Sequence, residues 1–231
     1  MAFYPINLNI TGQLCVVIGG GTVATRKISS LLLCDAKVRV ISPKLSSGLK
    51  QFLDNHNLEW IPRPYMKGDL QGATLAFALT DHPEVQRQVA TEANELEIPV
   101  NIGDNPEACT FQTAATVRQG DLLISISTGG GSPALAATIR RELELRYGPE
   151  YSDLVKLLCI IRQHTVGQRS SQEKQKLLLD QILQTNILTL LKKKEWQLLH
   201  EKLLEILPQT INVKYLIQKL RGEEPCDVHS V

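Results

Sequence analysis

Along the first half of the chain, short apolar runs alternate with stretches of helical spacing. From Gln13 to Ile18 a compact run, Leu-Cys-Val-Val-Ile, ends at Gly19, Gly20 and Gly21, and Val23 to Leu33 then carries apolar residues at three- and four-residue spacing. That order reads as strand, tight turn and helix. A β-branched run from Lys37 to Ser42, closed by Pro43, completes a βαβ unit with its right-handed crossover. Gly48 to Asn55 reads as helix, Glu59 to Pro62 as a short strand, Leu75 to Thr80 as a buried strand and Glu84 to Leu96 as helix. Pro99 to Ile102 is a further strand, turning at Gly103-Asp104-Asn105-Pro106. Alternating strands and helices predict a parallel, doubly wound sheet from about residue 8 to 113.

Beyond Phe111 the pattern changes. Leu122 to Ser127 alternates apolar and small polar residues like a half-buried strand, and a second glycine-rich turn follows at Gly129 to Gly131. Ser132 is placed to cap, and Pro133 to start, a helix over Ala134 to Arg146 that Tyr147-Gly148-Pro149 ends. Ser152 to Leu220 holds only leucine-rich helical spacing, interrupted near Gly167 to Ser171 and at Pro208. The predicted fold class is α/β. A Rossmann-type parallel-sheet domain (1–113) is followed by a small α+β segment with the second turn (114–148), a helical domain (149–222) and a disordered tail (223–231).

Composition narrows the function more than the fold. Lysine and arginine total 25 against 24 acids, so no global field steers nucleic acid or an anionic membrane to the chain, and an anionic ligand must be held by local groups. The run Lys192-Lys193-Lys194 is balanced by Glu195, Glu201 and Glu205 and reads as a solvated helix face. Met1 to Asn9 carries no basic segment followed by an apolar stretch, and no apolar run reaches about 18 residues, so neither a secretion signal nor a membrane span is expected. The five cysteines, Cys15, Cys34, Cys109, Cys159 and Cys226, form no C-x-x-C pair, which fits a reducing cytoplasm. The five histidines, His56, His82, His164, His200 and His229, show no paired ligand spacing, and no metal site is expected.

Gly19, Gly21 and Ala24 match G-x-G-x-x-A at the strand-to-helix turn. There the first glycine allows the turn, the second admits a dinucleotide pyrophosphate, and the small third residue lets helix pack on strand. Amides at the helix N-terminus, Thr22 and Val23, then face the phosphates. The second strand ends in Ser42-Pro43-Lys44 without the acid that takes the ribose hydroxyls of NAD. Ser42 and Lys44 tolerate a 2′-phosphate, and a backbone contact from Pro43 and Lys44 to the adenosine is equally open, so the residues leave NAD and NADP undecided.

Four stretches together resemble a known family. They are Tyr4-Pro5-Ile6 with the nine residues from Gly19 to Lys27 (G-G-G-x-V-A-x-R-K); Ala78-Leu79-Thr80-Asp81 (A-x-T-D); Asn101-Ile102-Gly103-Asp104 (N-x-x-D) with Cys109-Thr110-Phe111; and Gly120-Asp121-Leu122 with Ser125 to Ala134 (I-S-T-G-G-x-S-P-A). The family is that of the precorrin-2 dehydrogenases and sirohydrochlorin ferrochelatases, which includes the N-terminal module of siroheme synthase. The likeness runs from about residue 3 to 148 and more loosely beyond. Gln86, Thr113 and Gly131 depart from it, standing where asparagine, proline and lysine are usual.

The resemblance implies NAD-dependent oxidation of precorrin-2 to sirohydrochlorin, and in some members insertion of Fe2+, as a substrate, into the product. It further implies a homodimer formed through the 114–148 segment, and cofactor contacts at Thr80 and Asp81. Asp104, at the carboxyl end of its strand, is the implied general base; position alone also allows it to cap the turn before Asn105 and Pro106. The turn holding Ser127, Thr128, Gly129 and Ser132 is an anion nest for a substrate carboxylate or an ordinary helix-capping turn. A non-catalytic NAD(H)-sensing module and an interaction scaffold are the competing classes.

Overall fold

The structure is a computed structural model that describes residues 3–165 and 172–222. The interruption expected near Gly167 to Ser171 and the 223–231 tail lie outside the described residues. The chain divides into two compact units, Met1–Thr113 and Ala114–Val231.

In the first unit, β1 (Leu14–Ile18), β2 (Lys37–Ile41), β3 (Leu58–Ile61), β4 (Leu75–Ala78) and β5 (Val100–Ile102) form one parallel sheet in the order β3-β2-β1-β4-β5. The strand that leads into the first glycine turn is therefore central, with Val17 paired to Val40 on one side and Phe77 on the other. Helices α1 (Thr22–Leu32) and α3 (Pro83–Glu95) cover opposite faces. Because side chains alternate along a strand, Cys15 and Val17 pack with Ala24, Ile28 and Leu31, while Val16 and Ile18 pack with Val89 and Ala93. Both faces are covered, which is why the central strands β1 and β4 read as unbroken apolar runs. Burial pushes the Cys15 thiol up to about 11, with nearby Cys34 adding to the effect, so this sulfur is an inert part of the core.

The helix expected over Gly48 to Asn55 is shorter. Only α2 (Ser47–Lys50) forms, capped by the Ser46 hydroxyl, and the chain then continues in i→i+3 turns such as Phe52 N–H to the Leu49 carbonyl. Asn55 ends them because its side-chain oxygen takes the Asn57 amide, a local bond that competes with helix.

The path from β3 to β4 carries no helix. Its turns are held by the side chain of Glu92 on α3, 3% exposed, whose carboxylate accepts from the amides of Gly68 (3.0 Å) and Leu70 (3.2 Å) and from the Tyr65 hydroxyl. Burial first, and then the Glu92 carboxylate, push the Tyr65 hydroxyl above its ordinary range. Arg63 grips Asp69 through two nitrogens at 2.7 and 2.6 Å, closing the same loop.

The free edge of β5 is sealed by the returning chain. Thr110 donates its amide to the Val100 carbonyl (2.9 Å) and accepts the Val100 amide on its hydroxyl (2.8 Å), and Asn101 donates to the Phe111 carbonyl (3.1 Å). Phe111 packs edge-on against Phe77, with ring centroids 5.4 Å apart.

The second unit begins with a strand that the sequence pattern does not announce. β6 (Ala115–Gln119) pairs antiparallel with β7 (Leu122–Ile126) across a two-residue turn at Gly120-Asp121, where Gly120 has φ +57°. That dipeptide is a hairpin signal. Helix α4 (Pro133–Arg146) follows, its start capped by Ser132, whose hydroxyl accepts the Leu135 amide at 3.2 Å. Then come α5 (Glu150–Thr165), α6 (Gln172–Leu183), α7 (Ile187–Lys193), α8 (Trp196–Ile206) and α9 (Val213–Arg221), around a core that includes Leu157, Ile161, Ile187, Leu199, Leu203 and Leu216. The breaks at Gln184–Asn186 and Lys194–Glu195 add to the one at Pro208; Lys194 turns the chain in the left-handed conformation, φ +57°. Lys192 and Lys193 lie near Glu150 and Glu195 at 3.8 and 3.9 Å. Among the described residues no helix is long and apolar enough to cross a membrane.

Replacing Glu92 by alanine strands two backbone donors and a phenol hydroxyl in the interior. The Glu92→Ala variant is expected to lose about 3 kcal/mol of unfolding free energy, read as a lower urea midpoint.

Candidate functional site

The carboxyl ends of β1, β2, β4 and β5 present four loops along one edge of the first sheet, the place where open α/β sheets bind ligands. The glycine turn after β1 lies between the loops after its two neighbours. Gly19 has φ +118°, and a Cβ there would sit 2.2 Å from the Leu79 carbonyl oxygen at the end of β4. On Gly20 a Cβ would sit 2.2 Å from the Lys44 carbonyl oxygen in the loop after β2. Hydrogen bonds run both ways across this contact, from the Gly19 amide to the Ile41 carbonyl (2.9 Å) and from the Ser46 amide to the Gly20 carbonyl (2.8 Å).

Gly21 differs. A Cβ there would meet nothing within 4 Å, so its glycine opens space outside the fold. Gly21 is also the N-cap of α1 and offers no side chain to cap it, and the first turn of α1 holds no acid. The orphan amides of that first turn, at Thr22 and Val23, are thus left for a ligand, and the helix dipole favours a negative one. Val23 is 44% exposed, unusual for an apolar residue at the mouth of a core helix, while Ala24 is fully buried against the sheet. A pyrophosphate fits this cradle.

After β2 the structure narrows what the sequence left open. Ser42 is buried, and its hydroxyl donates to the Lys44 carbonyl at 2.8 Å while its own carbonyl accepts from Trp60 Nε1 at 2.9 Å. Ser42 is therefore a brace for the loop and no ligand for a 2′-phosphate. Pro43 and Lys44 are exposed. After β4, Thr80 is half-buried and Asp81 exposed; Gln86, in the place where asparagine is usual, donates to the Thr80 carbonyl at 2.6 Å and fixes the loop from α3.

Asp104 is exposed in the loop after β5. The capping role that position allows it is performed by Asn105, whose side-chain oxygen accepts the Ala108 amide (3.3 Å) at the start of a 3-10 turn over Pro106–Ala108. The Gly103 amide ties the loop to the Ala78 carbonyl on β4 at 2.9 Å. Lys27, two turns into α1, donates to the Thr113 hydroxyl, the residue standing where proline is usual. Burial, and secondarily the charge of Arg26, hold the Lys27 ammonium below the ordinary lysine value.

In the second unit, the turn after β7 uses its own hydroxyls. Ser127 accepts the Gly129 amide (3.2 Å), Thr128 accepts the Ser132 amide (3.1 Å), and the Thr128 carbonyl takes the Gly131 amide (3.0 Å). The expected nest of backbone amides is largely self-satisfied. What it offers an anion is the hydroxyl protons of Ser127, Thr128 and Ser132, because each oxygen that accepts an amide still has its proton to give.

The motifs include Gly20 and Cys109 but do not disclose their contacts, the close approach of Gly20 to the Lys44 carbonyl and the Ile102 amide accepted by Cys109 Sγ at 3.1 Å beside the Asp104 loop. For Gly20 the signal was the third consecutive glycine. Cys109 gave none beyond its place in the family motif.

Residues 6–115 match the family model described as putative NAD(P)-binding, and residues 119–145 match that of the sirohaem biosynthesis protein central region. A siroheme synthase of Methylobacillus flagellatus is 36% identical over 176 residues, covering 76% of this chain and 38% of that protein. One of Stutzerimonas stutzeri is 29% identical over 221 residues, covering 94% of this chain and 48% of its own length. The chain thus spans less than half the length of these relatives. Among solved structures, one described as SirC, precorrin-2 dehydrogenase, superposes with a TM-score of 0.68 over 95% of this chain and 100% of its own at 22% identity, a likeness of fold.

The two glycines predict opposite behaviour. Gly20→Ala is expected to cost about 2 kcal/mol of stability by forcing the Lys44 loop away. Gly21→Ala should change stability by less than about 1 kcal/mol yet weaken NADH binding at least about tenfold, because its methyl enters the cradle rather than the core. Urea unfolding and a fluorescence titration with NADH measure the two effects separately.

Proposed function

We propose that this chain is a member of the siroheme synthase family and oxidises precorrin-2 to sirohydrochlorin with NAD as the electron acceptor. The observation that carries the reading is the pairing, on one sheet edge, of an uncapped glycine-turn helix with an exposed aspartate whose loop is fixed without it. Bound NAD supplies the hydride acceptor: two electrons and one proton leave the tetrapyrrole as hydride, and a second proton leaves separately. Gly19 and Gly21 shape the cradle, the Thr22 and Val23 amides meet the pyrophosphate, Pro43 and Lys44 border the adenosine, and Thr80 and Asp81 border the rest of the cofactor. Asp104 takes the second proton on its carboxylate. Ser127, Thr128 and Ser132 receive a carboxylate of the substrate through the hydroxyl protons described above, and Gly129, at φ +62°, turns the chain between them.

On this reading, residues 1–113 hold the cofactor, 114–148 join two copies of the chain and 149–222 form a helical domain. Support for the dimer is the apolar surface of α4, where Leu135 and Leu145 are 51% and 89% exposed. Thiols at Cys15, Cys109 and Cys159 that form no disulfide among the described residues fit a cytoplasmic enzyme. Iron enters as a substrate: the macrocycle nitrogens are its ligands, and a protein base that takes up their protons is all that insertion asks of the chain.

The test is conversion of precorrin-2 by the purified chain with stoichiometric NADH formation. Asp104→Asn should lower turnover about 100-fold or more while leaving NADH affinity unchanged. Full turnover by the folded variant rules out Asp104 as base, and NADH binding without any conversion turns the reading to a cofactor sensor. Fe2+ added to the same assay reports chelation above the spontaneous rate, and light scattering reports the dimer.

A further inference from the structure

Asp104 sits in a loop of three residues, Gly103 to Asn105, that has no regular structure of its own. Its beginning is anchored to β4 through the Gly103 amide and its end runs into the 3-10 turn capped by Asn105. One side chain reaches both ends. The Sγ of Cys109, half-buried, accepts the Ile102 amide (3.1 Å) just before the loop, and its thiol proton faces the Ile102 carbonyl and the Asn105 carbonyl, each at 3.3 Å. The Asn101 side-chain amide approaches the same sulfur at 3.6 Å while donating to the Phe111 carbonyl at 3.1 Å. Cys109 itself is held in place by Thr110, whose amide and hydroxyl are both bonded to Val100 on β5.

We propose that Cys109 is the positioning residue for Asp104, its sulfur clamping the two ends of the Gly103–Asn105 loop so that the carboxylate is presented from a fixed backbone. The inference rests on the reading of Asp104 as the base. A thiol suits the task because it accepts one amide and turns its single proton toward two carbonyls. The carboxylate gains orientation without a hydrogen bond of its own, and so remains an acceptor.

The experiment compares Cys109→Ala, Cys109→Val and Cys109→Ser with the unaltered chain and with Asp104→Asn, alone and combined. Thermal melting and NADH titration show that each variant folds and holds cofactor. Cys109→Ala and Cys109→Val should lower kcat about tenfold or more with KM for precorrin-2 unchanged, the scale on which a small misplacement of a reacting group acts. Cys109→Ser, which keeps a donor and an acceptor on the same carbon, should recover most of the loss. In the Asp104→Asn background, Cys109→Ala should cost nothing further, since two residues acting through one carboxylate are not additive. Multiplicative losses in the double variant, a loss carried in KM, or full kcat in Cys109→Ala and Cys109→Val each overturn the proposal while leaving the base in place. Full kcat in Asp104→Asn alone removes the base, and the positioning role with it.

Discussion

Between the carbonyl oxygens of Leu79 and Lys44 there is room for a peptide backbone and for no side chain. Gly19 and Gly20 occupy that gap, and the arrangement of the sheet edge follows from it. Because β1 is central, its exit must pass between the exits of β2 and β4, and the closer the three loops lie, the more nearly their backbone groups form one surface. The loops are braced from behind by side chains that take no part in it: Ser42 and Trp60 after β2, and Gln86 after β4. Rigid loops with unencumbered outer faces are what a cofactor site built from backbone requires.

The contrast between the two glycine-rich turns shows how hydrogen-bond demand divides structure from function. At the first, the N-cap is glycine and the helix amides have no side-chain partner. At the second, serine and threonine hydroxyls satisfy the turn and the helix start. Similar letters in the sequence therefore stand for different donor sets: one turn presents uncapped backbone amides of a helix start, and the other has bonded most of its amides internally and presents rotatable hydroxyl protons.

How far the sequence discloses this depends on the range over which each feature is determined. Val16 to Ile18 and Leu75 to Ala78 are legible as buried parallel strands because burial on both faces leaves a continuous apolar run, and Val38 to Ile41 because its residues are mostly β-branched. Ser132 and Pro133 mark the start of α4 because capping is local. The Gly48–Asn55 helix is overestimated because apolar spacing persists where Asn55 bonds its own backbone. Ala115 to Gln119 is missed because the strand holds a single buried apolar residue, Val117, and the only local sign of it is the Gly120-Asp121 turn. In the site, Gly19 and Gly21 are read from a motif, whereas the need for glycine at position 20 arises from the Lys44 carbonyl, 24 residues away in the chain, and the bracing by Ser42 arises from the same loop geometry. Asp104 is placed at a strand end by pattern, and its freedom from the capping role is visible only once Asn105 is seen to do that work.

The link from β3 to β4 carries the chain from one edge of the sheet across two strands to the far side of β1, and it does so on turns whose amides close on Glu92. The residue that secures this crossing is made after the strand that the crossing delivers. During synthesis, β4 can be complete while its approach still lacks an anchor, and the central pairing of β1 with β4 gains that anchor only when α3 has emerged and turned its buried carboxylate inward. The first unit is thereby bound to mature as a whole rather than strand by strand. A fault near the end of α3, far along the helix from the cofactor edge, is felt at the strand that leads to Thr80 and Asp81.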